Sequence, residues 1–294
     1  MKHTIELIGN TPLYQIEDTN IYVKLEKFNV GGSVKDRAVL GMLQDAIKKG
    51  VLTSESVLIE ATSGNTGIAL AMLGAVYKIP VVIIMPETMS VERRQLVRAY
   101  GAKLVLTPGS KGMQGAMDKM QEMLNENSNY VSLQQFSNPS NPAIHYETTG
   151  KEIMEQLPDV DIFVACVGSG GTFSGVSKRL KEYNSSIRCV AGEPRTSAVL
   201  SGQKAGPHKI QGIGANFIPV NFDNTYCDDI MLVDEEEAIT ETKRFAKETG
   251  ILVGISSGAN IALARRLARY YPNSKIVTIA PDGGEKYLSV LEFD

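Results

Sequence analysis

One lysine stands in a setting built for chemistry. In GGSVKDRAV (31–39), two glycines and a serine precede Lys35. Apolar residues then recur at Val34, Ala38, Val39, Met42, Leu43, Ala46 and Ile47, one face of a 3.6-residue period. Ser33 with Asp36 three residues on reads as a capping box, which puts Lys35 in the first helical turn beside unpaired backbone N–H groups. The positive helix end weakens a lysine's hold on its proton, and burial weakens it further. Lys35 is either a surface residue or a nucleophile, and this stretch alone leaves both open.

Four loops rich in glycine and hydroxyl residues stand beside that lysine. EATSGNTG (60–67) is a strand-to-helix turn whose small hydroxyls and N–H groups suit a carboxylate. GSGGT (168–172) exposes backbone N–H groups ahead of a helix, with Thr172 adding a hydroxyl, and suits a phosphate. It is not a nucleoside-triphosphate loop, because no G-K-S/T follows, and its third glycine comes too early for a dinucleotide fingerprint. QGIGAN (211–216) and GISSGAN (254–260) are the other two, the latter placing hydroxyls at a helix start. The three histidines, His3, His145 and His208, lack metal-ligand spacing, and no metal site is expected. A phosphate-bearing aldehyde held on a lysine uses all of these features.

The elements that position these turns alternate. Strands are expected at 57–60, 80–86, 103–107, 130–133, 161–168, 187–193, 251–256 and 275–281. Helices are expected at 65–77, about 90–100, 112–125, 143–157, from Thr172, from Asp234 to about 249, and after 256. Met113, Met117, Met120 and Met123 have helical spacing and read as core filler. Residues 194–219 read as a loop over a site, and Asp228 and Asp229 as a solvated turn or as groups that activate water or an amine. Apolar strands alternating with helices predict an α/β fold of two domains, each a mostly parallel sheet covered by helices. The turn-rich SNPSNPA (137–143) is the expected crossing between them.

Composition narrows the function classes. The 294 residues are 43% apolar and 21% charged, with net charge −3 and no basic stripe, so neither a nucleic-acid surface nor a membrane role is expected. No apolar run reaches membrane-spanning length and no secretory leader pattern opens the chain. Cys166, Cys189 and Cys227 are odd in number and widely spaced, the usage of reduced thiols in the cytoplasm.

In order along the chain, IGNTPL, GGSVKDR, TSGNTG, QQFSNPSNP, GPHKIQGIGA, GISSGA and GEKYLS resemble the cysteine synthase (O-acetylserine sulfhydrylase) family of fold-type II pyridoxal-phosphate enzymes. Cystathionine β-synthases are close relatives. The resemblance runs from residue 8 to 289 and implies a fold like the tryptophan synthase β-subunit. It implies a larger cofactor-binding domain of residues 1–34 and 142–294. A smaller mobile domain of residues 35–141 then carries the lysine and the substrate loop. It places pyridoxal 5′-phosphate on Lys35, its ring oxygen at Asn65, its phosphate at Gly168, Ser169, Gly170, Gly171 and Thr172, and its ring nitrogen at Ser256. Thr62, Ser63, Gly64, Thr66 and Gln135 are then the substrate carboxylate site, and Gly212 lines the substrate side. The implied reaction makes L-cysteine from O-acetyl-L-serine and sulfide. The alternatives are cystathionine synthesis and a sulfide-releasing cysteine lyase. The implied partners are a second copy of the chain and serine acetyltransferase. The chain departs from the pattern at PDGGEKY (281–287), where Asp282 and Gly283 replace serines common in the family.

Overall fold

The computed structural model describes residues 3–288 and residue 291. Ser289, the end of the GEKYLS motif, lies outside the described residues. Strands and helices follow in the order β1 (Leu13–Gln15), β2 (Ile21–Leu25), α1 (Lys35–Lys48), β3 (Val57–Ala61), α2 (Asn65–Tyr77), β4 (Val81–Pro86), α3 (Val91–Ala99), β5 (Lys103–Thr107), α4 (Gly112–Glu126) and β6 (Tyr130–Val131). There follow α5 (Ser140–His145), α6 (Lys151–Gln156), β7 (Ile162–Cys166), α7 (Gly171–Tyr183), β8 (Arg188–Pro194), β9 (Asp229–Val233), α8 (Glu235–Thr249), α9 (Ile255–Tyr270) and β10 (Ile276–Ala280).

Two sheets carry the described residues. One runs β5-β4-β3-β6 and is parallel throughout. The other runs β1-β2-β10-β7-β8-β9 and is parallel except at its β1–β2 edge. Central strands β4 and β10 are buried along their whole length, as strands covered by helices on both faces must be. Val39, Leu43, Ile68, Leu73 and Ile83 belong to a core of the first sheet. Val164, Val190, Val253 and Leu263 pack on one face of the second, and Phe163, Phe173 and Val277 on the other. Each such side chain contributes about 1.5–3 kcal/mol by leaving water. The expected mixed α/β architecture is the one the chain adopts.

α2 shows how tightly the first sheet is closed. It is apolar on all sides and buried from Thr66 to Gly74. A Cβ on Gly74 would lie 2.2 Å from Val81, so only glycine lets the helix approach β4. The start of α1 is fixed by charge. Arg37 pairs with Glu26 at 2.7 Å and Glu152 at 2.5 Å, and Lys24 with Glu152 at 2.7 Å. Lys24, Glu26 and Arg37 are all buried, and removing one partner from such a cluster costs about 3–5 kcal/mol. This anchor sits two residues beyond Lys35.

Several expectations are corrected. Strands β1, β2 and β9 went unread in the sequence. The run 251–256 is not a strand: Val253 makes one isolated bridge to Gly283, and α9 begins at Ile255. The helix expected at 143–157 is present as a continuous helical run from Ser140 to Gln156, with a π-helical turn at Tyr146–Gly150 between α5 and α6. Met113, Met120 and Met123 pack against a core, whereas Met117 is exposed on the outer face of α4. Asp228 pairs with Lys181 at 2.6 Å and accepts from the Cys189 N–H, and Asp229 opens β9 beside Arg188. Both carboxylates serve the sheet edge.

Candidate active site

Lys35 opens α1, as its sequence setting predicts. The capping differs from the expected box. Ser33 Oγ accepts from the Lys35 N–H at 3.2 Å, but Asp36 reaches past Ser33 to accept from the Gly31 N–H at 2.6 Å. The GGS stretch bends back on the end of β10, where Val34 N–H donates to Pro281 O and Ser33 bridges Asp282. This delivers Lys35 to an enclosed cavity shared with Gly168, Ser169, Gly170, Thr172 and Gly212. Nζ of Lys35 has no hydrogen-bond or ion-pair partner among the described residues. Desolvation pulls its pKa below the ordinary lysine value, against the opposing pull of Asp282.

The glycine turn after β7 forms the opposite wall. Gly170 has φ +85°, and a Cβ on it would lie 2.6 Å from Phe222 N. A Cβ on Gly168 would lie 2.2 Å from Gly212 O, so the 211–214 loop closes directly over the turn. Asn141 Nδ2 donates to Ser169 Oγ at 3.0 Å. Thr172 Oγ1 lies 3.3 Å from His145 Nε2, whose Nδ1 lies 2.8 Å from Thr149 Oγ1. Burial, with the charges of Arg37 and Lys35, holds the His145 pKa well below its usual value, so the ring is neutral and links two hydroxyls. Asn260 accepts from the Cys166 N–H and donates to Ile279 O, clasping the ends of β7 and β10. The sequence reading missed His145, Asn141 and Asn260. Asn141 and Asn260 stood inside the SNPSNPA and GISSGAN stretches, and His145 was weighed only as a metal ligand.

The 60–67 turn leads into α2 with Gly64 at its cap. Thr62 Oγ1 accepts from the Gly64 N–H at 3.3 Å, and Arg93 Nη1 donates to Ser63 O at 2.9 Å. Thr66 Oγ1 donates to Gln135 Oε1 at 2.9 Å. The Gln135 carbonyl accepts from Asn141 Nδ2 at 2.8 Å, and the same Asn141 holds Ser169. A continuous polar chain thus joins the 60–67 turn to the glycine turn. Asn65 donates to Asp282 and accepts from Lys286. Ser256 is buried in the first turn of α9, and a Cβ on Gly212 would stand 3.9 Å from its Oγ. A wider open hollow of about 870 Å³ lies elsewhere, among Glu237, Arg244, Arg265 and Arg266. Arg265 pairs there with Glu241 and Arg266 with Glu237, and it holds none of the candidate site residues above.

The pyridoxal-phosphate dependent enzyme family matches residues 5–282. The chain belongs to that family. A cysteine synthase of Staphylococcus aureus (strain Mu50 / ATCC 700699) is 47% identical over 97% of this chain and 94% of its own length. The crystal structure of a cysteine synthase from Entamoeba histolytica superposes with a TM-score of 0.94 at 42% identity, covering 99% of this chain and 90% of that one. An O-acetylserine dependent cystathionine β-synthase from Helicobacter pylori superposes with a TM-score of 0.91 at 40% identity, covering 98% and 97%.

The residues present fit pyridoxal phosphate. A phosphate needs N–H donors at a helix start and room that side chains would fill, and 168–172 at the head of α7 offers both. An aldehyde needs an unpartnered amine, which Lys35 supplies. A ring nitrogen needs a small polar partner, and Ser256 is a small, buried hydroxyl at the head of α9. Asn141 Oδ1 is buried without a partner beside Gly171, a polar atom left over at the same wall.

Proposed function

We propose that this chain makes L-cysteine and acetate from O-acetyl-L-serine and sulfide by β-replacement. The observation that carries the reading is the polar chain Thr66–Gln135–Asn141–Ser169. It fastens a carboxylate-binding turn to a phosphate-binding turn in a site whose amine has no partner among the described residues.

When bound, pyridoxal phosphate supplies an electron sink for bond cleavage at the amino acid's α-carbon. Gly168, Ser169, Gly170, Gly171 and Thr172 hold its phosphate. Ser256, buried in the first turn of α9, would offer the ring nitrogen a neutral hydroxyl, a weaker partner than a carboxylate. Thr62, Ser63, Gly64, Thr66 and Gln135 orient the substrate carboxylate at the start of α2, where the helix dipole favours an anion. Lys35 would hold the cofactor through Nζ, and the same Nζ, when free, would take the α-proton of the substrate. Its lowered pKa suits that role. Gly212 leaves the substrate side open to the nucleophile.

Residues 1–34 and 142–294 act as the larger domain in this reading, and 35–141 as a smaller one that closes over the substrate and excludes water. The working form is a homodimer in the cytoplasm. Exposed Phe28, Val30, Phe217, Ile218 and Val220 offer apolar surface for a partner, and the three unpaired cysteines suit a reducing compartment. Serine acetyltransferase is a further proposed partner, tested by adding its C-terminal peptide. The deciding experiment pairs O-acetylserine, serine, phosphoserine and cysteine with sulfide, homocysteine or water, and identifies products by mass. Cysteine from O-acetylserine and sulfide as the fastest reaction supports the reading. Faster cystathionine formation, or faster sulfide release from cysteine, replaces it.

A further inference from the structure

Asn65 is held by two opposite charges. Its Nδ2 donates to Asp282 Oδ2 at 2.7 Å, and its Oδ1 accepts from Lys286 Nζ at 2.8 Å. A carboxylate only accepts and an ammonium only donates, so the amide has one orientation. Turned over, it would set N–H against ammonium and oxygen against carboxylate. Tyr287 O–H donates to the same Asp282 Oδ2 at 2.7 Å and steadies it.

Asp282 is itself fixed. It is 1% exposed, its backbone bridges Ser33, and its carbonyl accepts from the Gly254 N–H at 3.1 Å. It therefore stands between the stretch that delivers Lys35 and the start of α9. Arg93 extends the contact into the carboxylate turn, lying 5.3 Å over the Tyr287 ring while donating to Ser63 O. Residues 63–66 and 282–287 are thus joined at several points although about two hundred residues separate them in the chain.

We propose that Asp282 and Lys286 are positioning residues that clamp the Asn65 amide, so that its second Nδ2 hydrogen is the one offered to the ring oxygen of bound pyridoxal phosphate. This rests on the reading of Asn65 as the contact to that oxygen. The clamp also joins the start of α2 to the 282–287 turn. The Asp282 carboxylate spends one of the amide's two hydrogens, and Lys286 occupies its oxygen. What remains is a single donor with a fixed direction.

The test compares Asp282→Leu, Lys286→Met, Lys286→Arg, Asn65→Ala and the double variant Asn65→Ala/Asp282→Leu. Each is read by the visible absorption band of the holoenzyme and by fluorescence titration of the apoprotein with pyridoxal phosphate. Asp282→Leu and Lys286→Met should shift the band and weaken cofactor binding about 10-fold, while Lys286→Arg, which keeps the donor, stays near the unmodified protein. Once Asn65 is alanine, Asp282→Leu should add little. If Asn65→Ala alters band and affinity but Asp282→Leu and Lys286→Met do not, the clamp is overturned. Losses that simply add in the double variant overturn it too. An unaffected Asn65→Ala refutes the underlying reading of Asn65 instead. If Asp282→Leu does not fold, the contrast between Lys286→Met and Lys286→Arg decides.

Discussion

Thr66→Val isolates one hydroxyl at the joint between the two turns. Valine keeps the shape and branching of threonine, and helix propensity changes by only a few tenths of a kcal/mol at most. The loss is the 2.9 Å hydrogen bond to Gln135 Oε1, made between residues 4% and 8% exposed. Water does not readily replace the missing donor there. Stranding a buried acceptor costs about 1–3 kcal/mol, and a protein of this size loses about 2–4 °C of melting midpoint per kcal/mol. The apoprotein should therefore melt about 2–12 °C lower. In the loaded enzyme the hydroxyl's one hydrogen turns from Gln135 to the substrate carboxylate, so the variant should lose carboxylate affinity as well. A charge-assisted hydrogen bond is worth about 1.5–3 kcal/mol, so KM for O-acetylserine should rise about 10- to 150-fold with the cofactor spectrum intact. Differential scanning fluorimetry and initial-rate kinetics measure the two effects. An unchanged KM alongside a lowered midpoint would refute Thr66 as a carboxylate ligand and leave it a structural tie.

Borohydride reduction of the holoenzyme followed by peptide mapping should place the cofactor label on Lys35, and Lys35→Ala should abolish turnover; a label on another lysine sinks the assignment. Gly170→Ala forces a side chain into φ +85° and within 2.6 Å of Phe222 N, so the apoprotein should bind pyridoxal phosphate at least about 10-fold more weakly by fluorescence titration. Burial pushes the carboxyls of Asp36 and Glu60 up to about 7, so each favours the fold below the usual carboxyl range and loses that contribution as pH rises to about 7. Asp36→Asn and Glu60→Gln should each flatten the fall in melting midpoint between about pH 4 and 7, and an unchanged profile in both refutes the burial argument.

Elements with a strong local signal were legible. α2 begins and ends where its apolar run does, and β4 and β5 follow their apolar or alternating segments. β2 was hidden by Lys24, a charge that the period argument assigns to solvent. It lies fully buried because Glu152, from a helix far along the chain, pairs with it. The run 251–256 misled in the other direction. Its composition is that of a strand, yet Gly254 caps a helix and only Val253 finds a bridging partner.

The chemistry divides the same way. By itself the sequence determined which turns present converging N–H groups, because a glycine-rich turn and the helix after it are contiguous. Their N–H groups converge by local geometry alone. It also determined Lys35 as the residue opening α1. What only the tertiary structure decided is which side chains meet. Thr66 finds Gln135, Thr172 finds His145, and Asn65 finds Asp282 and Lys286 across gaps of 69, 27, 217 and 221 residues. Those meetings depend on how two sheets pack, with crossover helices setting the distances, and no local propensity encodes them. The unpartnered amine of Lys35 is likewise a tertiary fact, since the packing that lowers its pKa comes from walls supplied by β7, α7 and the 211–214 loop.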